Sequence, residues 1–189
     1  FADILRIRRM EFVWALAAFA GVVLVGTLQG IVIAILLSLL SLMYQEEKPA
    51  LHILGRKPGT DIFRPRSQEH PEDETFPGLL LLQPEGRIFF ANAQNLAERI
   101  LPLIERSRPQ VVVLDLSRTF DLEYTALKML IEAEERHRSR GVMFCLAGLN
   151  PEMLRIIRKS PLGEILGRER MFFNVATAVR HYQKDSETA

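Results

Sequence analysis

Cysteine is nearly absent from this chain. The 189 residues contain one, Cys145, so an internal disulfide is excluded, and its place in the run Val142-Met143-Phe144-Cys145-Leu146 marks it as a small core residue. Such thiol usage suits a reducing cytosol. An excess of either charge is absent too: 24 Lys and Arg stand against 23 Asp and Glu, a net charge of +1, which leaves nucleic acid without the basic surface it needs. The four histidines, His52, His70, His137 and His181, share no metal-ligand spacing with one another or with Cys145, so no metal is expected. No Walker-type loop occurs. Ser117 has no nucleophile elbow before it and no His and acid arrangement around it, and no titratable cluster of catalytic type stands out. Neither an enzyme nor a cofactor is expected.

What the chain does have is divided unevenly. Nearly all uninterrupted hydrophobicity precedes Tyr44, and charges are spread through everything after it. From Phe12 to Met43 no residue is charged, about 32 residues that as one helix would reach about 48 Å, more than a hydrocarbon core of about 30 Å. Gly26-Thr27-Leu28-Gln29-Gly30 interrupts this run with two glycines around polar residues. The pattern predicts a transmembrane helical hairpin over residues 1–45, with helices at about 11–25 and 30–44. Arg6, Arg8 and Arg9 before it and Lys48, Arg56 and Lys57 after it place both ends in the cytoplasm. Legs of about 15 residues are short of a full span, which points to packing against other helices. A single tilted helix is the competing reading and puts Arg6 to Arg9 on the far side.

Residues 46–76 carry Pro49, Pro58, Pro65 and Pro71 and the acidic run Glu72-Asp73-Glu74 without periodicity, and are predicted to be a solvated cytoplasmic linker. Beyond it the pattern alternates. Gly78 to Gln83 and Arg87 to Phe90 flank the turn signal Pro84-Glu85-Gly86 and predict a β-hairpin. Asn92 is the expected cap of a helix with Ala93, Leu96, Ala97, Ile100, Leu101 and Ile104 on one stripe, and Pro102 should kink or end it. Val111 to Leu116 reads as a central strand, interrupted by Asp115 alone. A helix from about Leu122 turns Ala126, Met129, Leu130 and Ala133 inward and leaves Glu132, Glu134, Glu135, Arg136 and Arg138 to solvent. Gly141 to Ala147 gives another strand, Asn150-Pro151 opens a helix with Met153, Ile156 and Ile157 inside, and a last helix covers Val175 to Tyr182. The order β-β-α-β-α-β-α-α predicts one α/β domain over residues 77–184, with a tail at 185–189.

Four stretches carry a resemblance to the SulP/SLC26 sulfate permease family: Gly30-Ile31-Val32-Ile33-Ala34, Leu54-Gly55-Arg56-Lys57-Pro58-Gly59-Thr60-Asp61, Phe89-Phe90-Ala91-Asn92-Ala93 and Val113-Leu114-Asp115-Leu116-Ser117. The resemblance covers nearly the whole chain. It implies a fragment made of the last transmembrane helices and a cytoplasmic STAS domain, an α/β fold with a mixed sheet packed against helices. It further implies secondary transport of sulfate, bicarbonate or dicarboxylate by an upstream membrane domain, a homodimer, and a multi-pass place in the plasma (inner) membrane. The lipid bilayer, that upstream domain and a cytosolic protein are the expected partners.

The stretch where ligands or partners commonly meet such folds runs from the end of a strand into a helix and contains Asp115, Ser117, Asp121, Glu123, Tyr124 and Thr125. These six form the expected regulatory surface. In STAS domains of the anti-sigma-antagonist type a serine is phosphorylated here, but this chain has Tyr124 at the matching place, so that switch is not carried over. Asp121 and Glu123 occupy the positive end of the helix and disfavour an arriving phosphate. Helix capping is the plainer role for them. Two functional readings remain: a transporter whose α/β domain regulates or assembles it, and a membrane-tethered signalling module that binds a protein or small ligand without transport.

Overall fold

The computed structural model describes Leu16, Phe19, residues 26–46 and residues 49–188. The chain divides into two compact units, Phe1–Glu47 and Lys48–Ala189.

In the first unit, helix α1 spans Thr27–Glu46. Gly26, with φ 119°, accepts from the Gly30 N–H at 2.8 Å, so the glycine-flanked stretch read as a turn becomes the first turn of this helix. Leu28, Ile31, Val32, Ile35, Leu36, Leu39 and Leu40 are all at least half exposed and, at helical spacing, form one apolar stripe along the helix. Among the described residues no helix is long and apolar enough to cross a membrane. The expected hairpin therefore gains no support from them, and its first leg lies outside them apart from Leu16 and Phe19.

The second unit is built on a six-stranded mixed sheet in the order β2-β1-β3-β5-β7-β8. Its strands are β1 (Leu51–Arg56), β2 (Phe63–Pro65), β3 (Leu79–Pro84), β5 (Val111–Asp115), β7 (Met143–Ala147) and β8 (Met171–Phe172). β3, β5, β7 and β8 run parallel, whereas β1 joins β3 antiparallel with Leu51 opposite Pro84 and Ile53 opposite Leu82. Alternation of side chains produces two cores. Leu80, Leu82, Val112, Leu114, Phe144 and Leu146 face helices α2 (Phe90–Ser107), α3 (Tyr124–Arg138), α4 (Pro151–Arg158) and α5 (Pro161–Leu166). Leu79, Leu81, Val113, Cys145 and Ala147 face α6 (Val175–Thr188). Burial pushes the Cys145 thiol up to about 11. Every residue of both cores lies between Leu51 and Tyr182, so this unit is held by contacts of its own.

Several expectations are corrected. β3 does not form a hairpin with the strand that follows. Its free edge is occupied by β1, and Gly86, at φ 93°, turns the chain away so that β4 (Gly86–Ile88) pairs parallel with β6 (Thr119–Leu122) in a separate small sheet. Residues read as a linker thus supply two strands of the main sheet. Their prolines stand outside β1 or at the end of the edge strand β2, where no ladder N–H is lost. The acidic run beside them is structural: Arg56 meets Glu74 at 2.5 Å, and Arg64 meets Asp73 at 2.8 Å and Glu72 at 3.1 Å. Gly55 permits this closure, since a Cβ there would stand 2.9 Å from the Cβ of Asp73.

α2 runs through Pro102 to Ser107, with Arg108 at its C-cap, and Asn92 sits in its first turn rather than capping it, accepting from the Phe89 N–H at 3.0 Å. Glu134, expected in solvent, is fully buried and meets Arg170 at 2.9 Å, which ties α3 to the segment before β8. Arg170 also donates to the Leu166 carbonyl at 3.3 Å and to that of Ile165. Asn150 caps α4 as expected, accepting from the Met153 N–H at 2.8 Å. α5 and β8 had no sequence counterpart.

Two outcomes test this architecture. Glu134→Ala leaves Arg170 without its carboxylate and should lower stability by about 3 kcal/mol in urea titrations, whereas replacing both partners by apolar residues of similar volume should recover most of that loss. The Arg64 guanidinium holds the Asp73 carboxyl below its ordinary value. A depressed folded-state pKa contributes stability above the unfolded value and loses it as pH falls through the folded one. Asp73→Asn should therefore be less stable than the parent at neutral pH, with the difference shrinking in acid, as read from denaturation midpoints at several pH values.

Candidate functional site

β5 ends in a carboxylate. Asp115 is 4% exposed, and its Oδ2 accepts from Gln83 Nε2 on β3 at 2.6 Å and from Ser117 Oγ at 3.0 Å, while Oδ1 accepts from the Ser117 N–H at 3.1 Å. A buried carboxylate survives without a cation when its lone pairs are filled in this way. Gly148, after β7, lies against the same group: a Cβ there would stand 2.6 Å from Asp115 Oδ1 and 2.9 Å from the Ser117 nitrogen. Its φ of +68° independently calls for glycine. Asp115 is thus committed to joining three chain segments at the C-terminal end of the parallel strands.

The chain continues through β6 into α3, with Glu123 at the N-cap. Asp121 and Glu123 share one cation: Arg87 of β4 approaches Asp121 at 2.8 Å and Glu123 at 2.7 Å. The Phe90 N–H, at the start of α2, lies 3.5 Å from the second oxygen of Glu123, and the Glu123 N–H donates to the Ile88 carbonyl at 3.1 Å. Nearby, Arg118 pairs with Glu85, whose carboxyl it holds below the ordinary carboxylate range.

The six expected residues therefore separate into four kinds of position. Asp115 is inside; Ser117 is exposed but turned back on Asp115; Asp121 and Glu123 are half-buried in the Arg87 bridge. Tyr124 and Thr125 are free at the surface, Tyr124 at 81% exposure. Two other aromatic residues on the same segments, which sequence reasoning did not assign to the surface, are also exposed: Phe90 at the start of α2, at 66%, and Phe120 of β6, at 70%. Asn150 donates to the Phe120 carbonyl at 3.3 Å. A strongly alternating strand pattern would have flagged Phe120 as outward-facing, but β6 is four residues long. Arg87 gave no signal either, because its two acids lie more than thirty residues away. Among the described residues no group of three or more His, Cys, Asp or Glu is placed to hold a metal. The arrangement is an ion bridge neutralised within the domain, with exposed aromatic residues on the segments that supply its acids and the helix start facing it.

This fold, with its mixed sheet, crossover helices and strand-to-helix surface, is that of a STAS domain. The STAS domain family matches residues 70–178, and the chain belongs to that family. The resemblance to the SulP and SLC26 transporters holds as well. The chain is 28% identical over 187 residues to high affinity sulfate transporter 2 of Stylosanthes hamata, which covers 94% of this chain and 28% of the relative. The murine Slc26a9 anion transporter in its inward-facing state superposes with a TM-score of 0.84 at 16% identity, over 97% of this chain and 30% of that one. The SulP transporter STAS domain of Vibrio cholerae gives 0.53 at 21% identity, over 64% of this chain and 93% of that one. Those two likenesses establish the fold. The chain spans under a third of the length of the curated transporter it matches.

Asp115→Ala should cost about 2–4 kcal/mol, because it leaves the Gln83 amide and the Ser117 N–H without an acceptor. Gly148→Ala should destabilise comparably, and Tyr124→Ala should stay within about 0.5 kcal/mol of the parent. Denaturation of the three variants by urea distinguishes the buried knot from the open surface.

Proposed function

We propose that this chain is the C-terminal part of a secondary active inorganic anion transporter of the sulfate type, in which the STAS domain regulates or assembles the membrane part. The observation that carries the reading is the extent of the match to a sulfate transporter: it runs over 94% of the chain, across the apolar helical unit as well as the STAS domain. A free-standing STAS protein would match over the second unit only. In this reading residues 1–45 form a membrane-embedded hairpin that packs against upstream helices, supported by the charge-free run from Phe12 to Met43 and by the exposed apolar stripe along α1. Residues 49–188 then lie in the cytoplasm, and the working unit is a homodimer in the inner membrane.

Regulation is assigned to the surface of Phe90, Phe120, Tyr124 and Thr125 around the Arg87 bridge. Exposed aromatic side chains of this kind anchor protein contacts at low entropic cost. Phosphoryl transfer to Tyr124 has weaker support, since the one adjacent cation already serves Asp121 and Glu123.

The test is anion uptake into proteoliposomes by the whole transporter, using sulfate, bicarbonate and succinate, compared with a version cut after Tyr44 and with a Phe90→Ala/Tyr124→Ala variant. The parent should move one of these anions. The cut should change rate or dimerisation, and the double substitution should reproduce about half or more of that change without unfolding the domain. A parent that moves none of them, while its STAS domain captures a cytosolic protein, makes the chain a tethered signalling module.

A further inference from the structure

The first face of the domain is not fully closed. Between α2 and α3 runs a groove of about 410 Å³, walled by Ile100 and Leu101 on one side and Met129 and Leu130 on the other, with Phe144 in its floor. Ala97 and Ala133 contribute only methyl groups to its lining, which leaves the space unfilled. The groove ends at His137. The same residue lines a second cleft, of about 540 Å³, between Arg108 and Arg140 beside Gly141 and Val142.

His137 is 5% exposed, and its Nδ1 is buried with no hydrogen-bond partner. An imidazole nitrogen in that state has given up water without replacement, which is unfavourable unless a bound group restores the bond. Burial, and then the charges of Arg140 and Arg136, lower its pKa and keep it a neutral hydrogen-bonding group.

Charge is distributed with a direction along this path. Glu98 and Glu132 line the apolar stretch, Arg136 also lines the groove that reaches His137, and Arg108 and Arg140 line the cleft, where Glu105 is the one carboxylate. None of these three arginines forms an ion pair among the described residues. Arg108 is also the one non-glycine residue with positive φ, 45°, among the described residues. Glycine ordinarily takes that place after a helix, so an unfavourable backbone conformation is retained with a guanidinium at the cleft.

We propose that this path binds a single-chain anionic amphiphile, a long-chain carboxylate whose tail lies between α2 and α3 and whose head lies among Arg108, Arg140 and His137. The volume of the groove is at the lower end of the range for small-molecule sites, about 300–1,000 Å³, which suits one chain. Glu98 and Glu132 exclude the reversed orientation by like-charge repulsion. The site is separate from the Arg87 surface, so its failure would leave the transporter reading standing.

The test uses residues 48–189, whose two cores are self-contained. Dodecanoate is titrated by calorimetry below its micellar concentration, with dodecanol and inorganic phosphate as controls. Dodecanoate should bind saturably at one site, dodecanol at least about tenfold more weakly, and phosphate not measurably. Arg108→Gln/Arg140→Gln should lose about tenfold in dodecanoate affinity. Ala97→Trp, which fills the groove, should abolish binding. Should that variant fold poorly, amide shifts in the parent decide: perturbations must fall on the facing sides of α2 and α3 and on Arg108 and Arg140. Absence of saturable binding, equal affinity for dodecanol and dodecanoate, an unchanged double-arginine variant, or shifts confined to the α6 face would each overturn the proposal.

Discussion

The C-terminal end of this sheet depends on one buried carboxylate. Asp115 accepts from β3 through Gln83, from its own turn through Ser117, and sits against the backbone of Gly148 beyond β7. Three neighbouring strands are thereby fixed at the point where their loops depart, and the loops carry the exposed side chains. The usual objection to a buried charge is desolvation, of several kcal/mol per ion. Here three donors at 2.6–3.1 Å offset it, and the Leu116 N–H, bonded to the Ala147 carbonyl at 2.8 Å, continues the pairing past the strand end. A cation in that place would be a weaker joint, because it would not define the direction of three separate segments.

The acids at this end are committed to partners within the domain, and the exposed side chains lie beyond them. Asp115 is held by amide and hydroxyl donors, Asp121 and Glu123 by Arg87, and Glu85 by Arg118. What remains unpaired at this end is aromatic. Phe90, Phe120 and Tyr124 keep two-thirds or more of their surface in water although a large core is available. Isolated exposed apolar residues need no explanation, but these three share the segments that make or adjoin the Arg87 bridge.

Much of the fold was legible because its signals were local. The β-branched run Val111-Val112-Val113 announced a strand covered on both faces, Asn150-Pro151 announced a helix start, and the apolar setting of Cys145 announced its burial. What escaped was decided by partners distant in sequence. The segment of β1 and β2 reads as linker because the prolines and charges around them look like solvated chain; only the pairing of β1 with β3 and β2, and the closing of Arg56 and Arg64 on residues 72–74, makes it part of the sheet. Glu134 lies among charged residues on its helix and looked solvated like them, yet Arg170, 36 residues later, makes it internal. The site divided in the same way. That a helix follows this strand was readable, though it opens at Tyr124 rather than at about Leu122; the neutralisation of Asp121 and Glu123 by a residue on β4 was not.

The two ends of the parallel strands differ in electrostatic character, and the difference follows from helix direction. Each crossover helix runs back against its strand, so helix N-termini gather at the Asp115 end and C-termini at the opposite one. Carboxylates at N-termini and arginines at C-termini both favour the helix dipoles, which by itself explains Glu123 at one end and Arg106, Arg136 and Arg138 at the other. The dipole argument does not account for Arg108. It needs no left-handed backbone and no approach to a cleft that also contains a partnerless imidazole. A cation placed only to complement a helix end would be served equally well from the last turn, as Arg106 is. The left-handed conformation closes α2, with the Arg108 N–H donating to the Ile104 carbonyl at 2.8 Å; what the helix end does not explain is an arginine where glycine is usual, and the cleft shared with His137 and Arg140 supplies a reason for that.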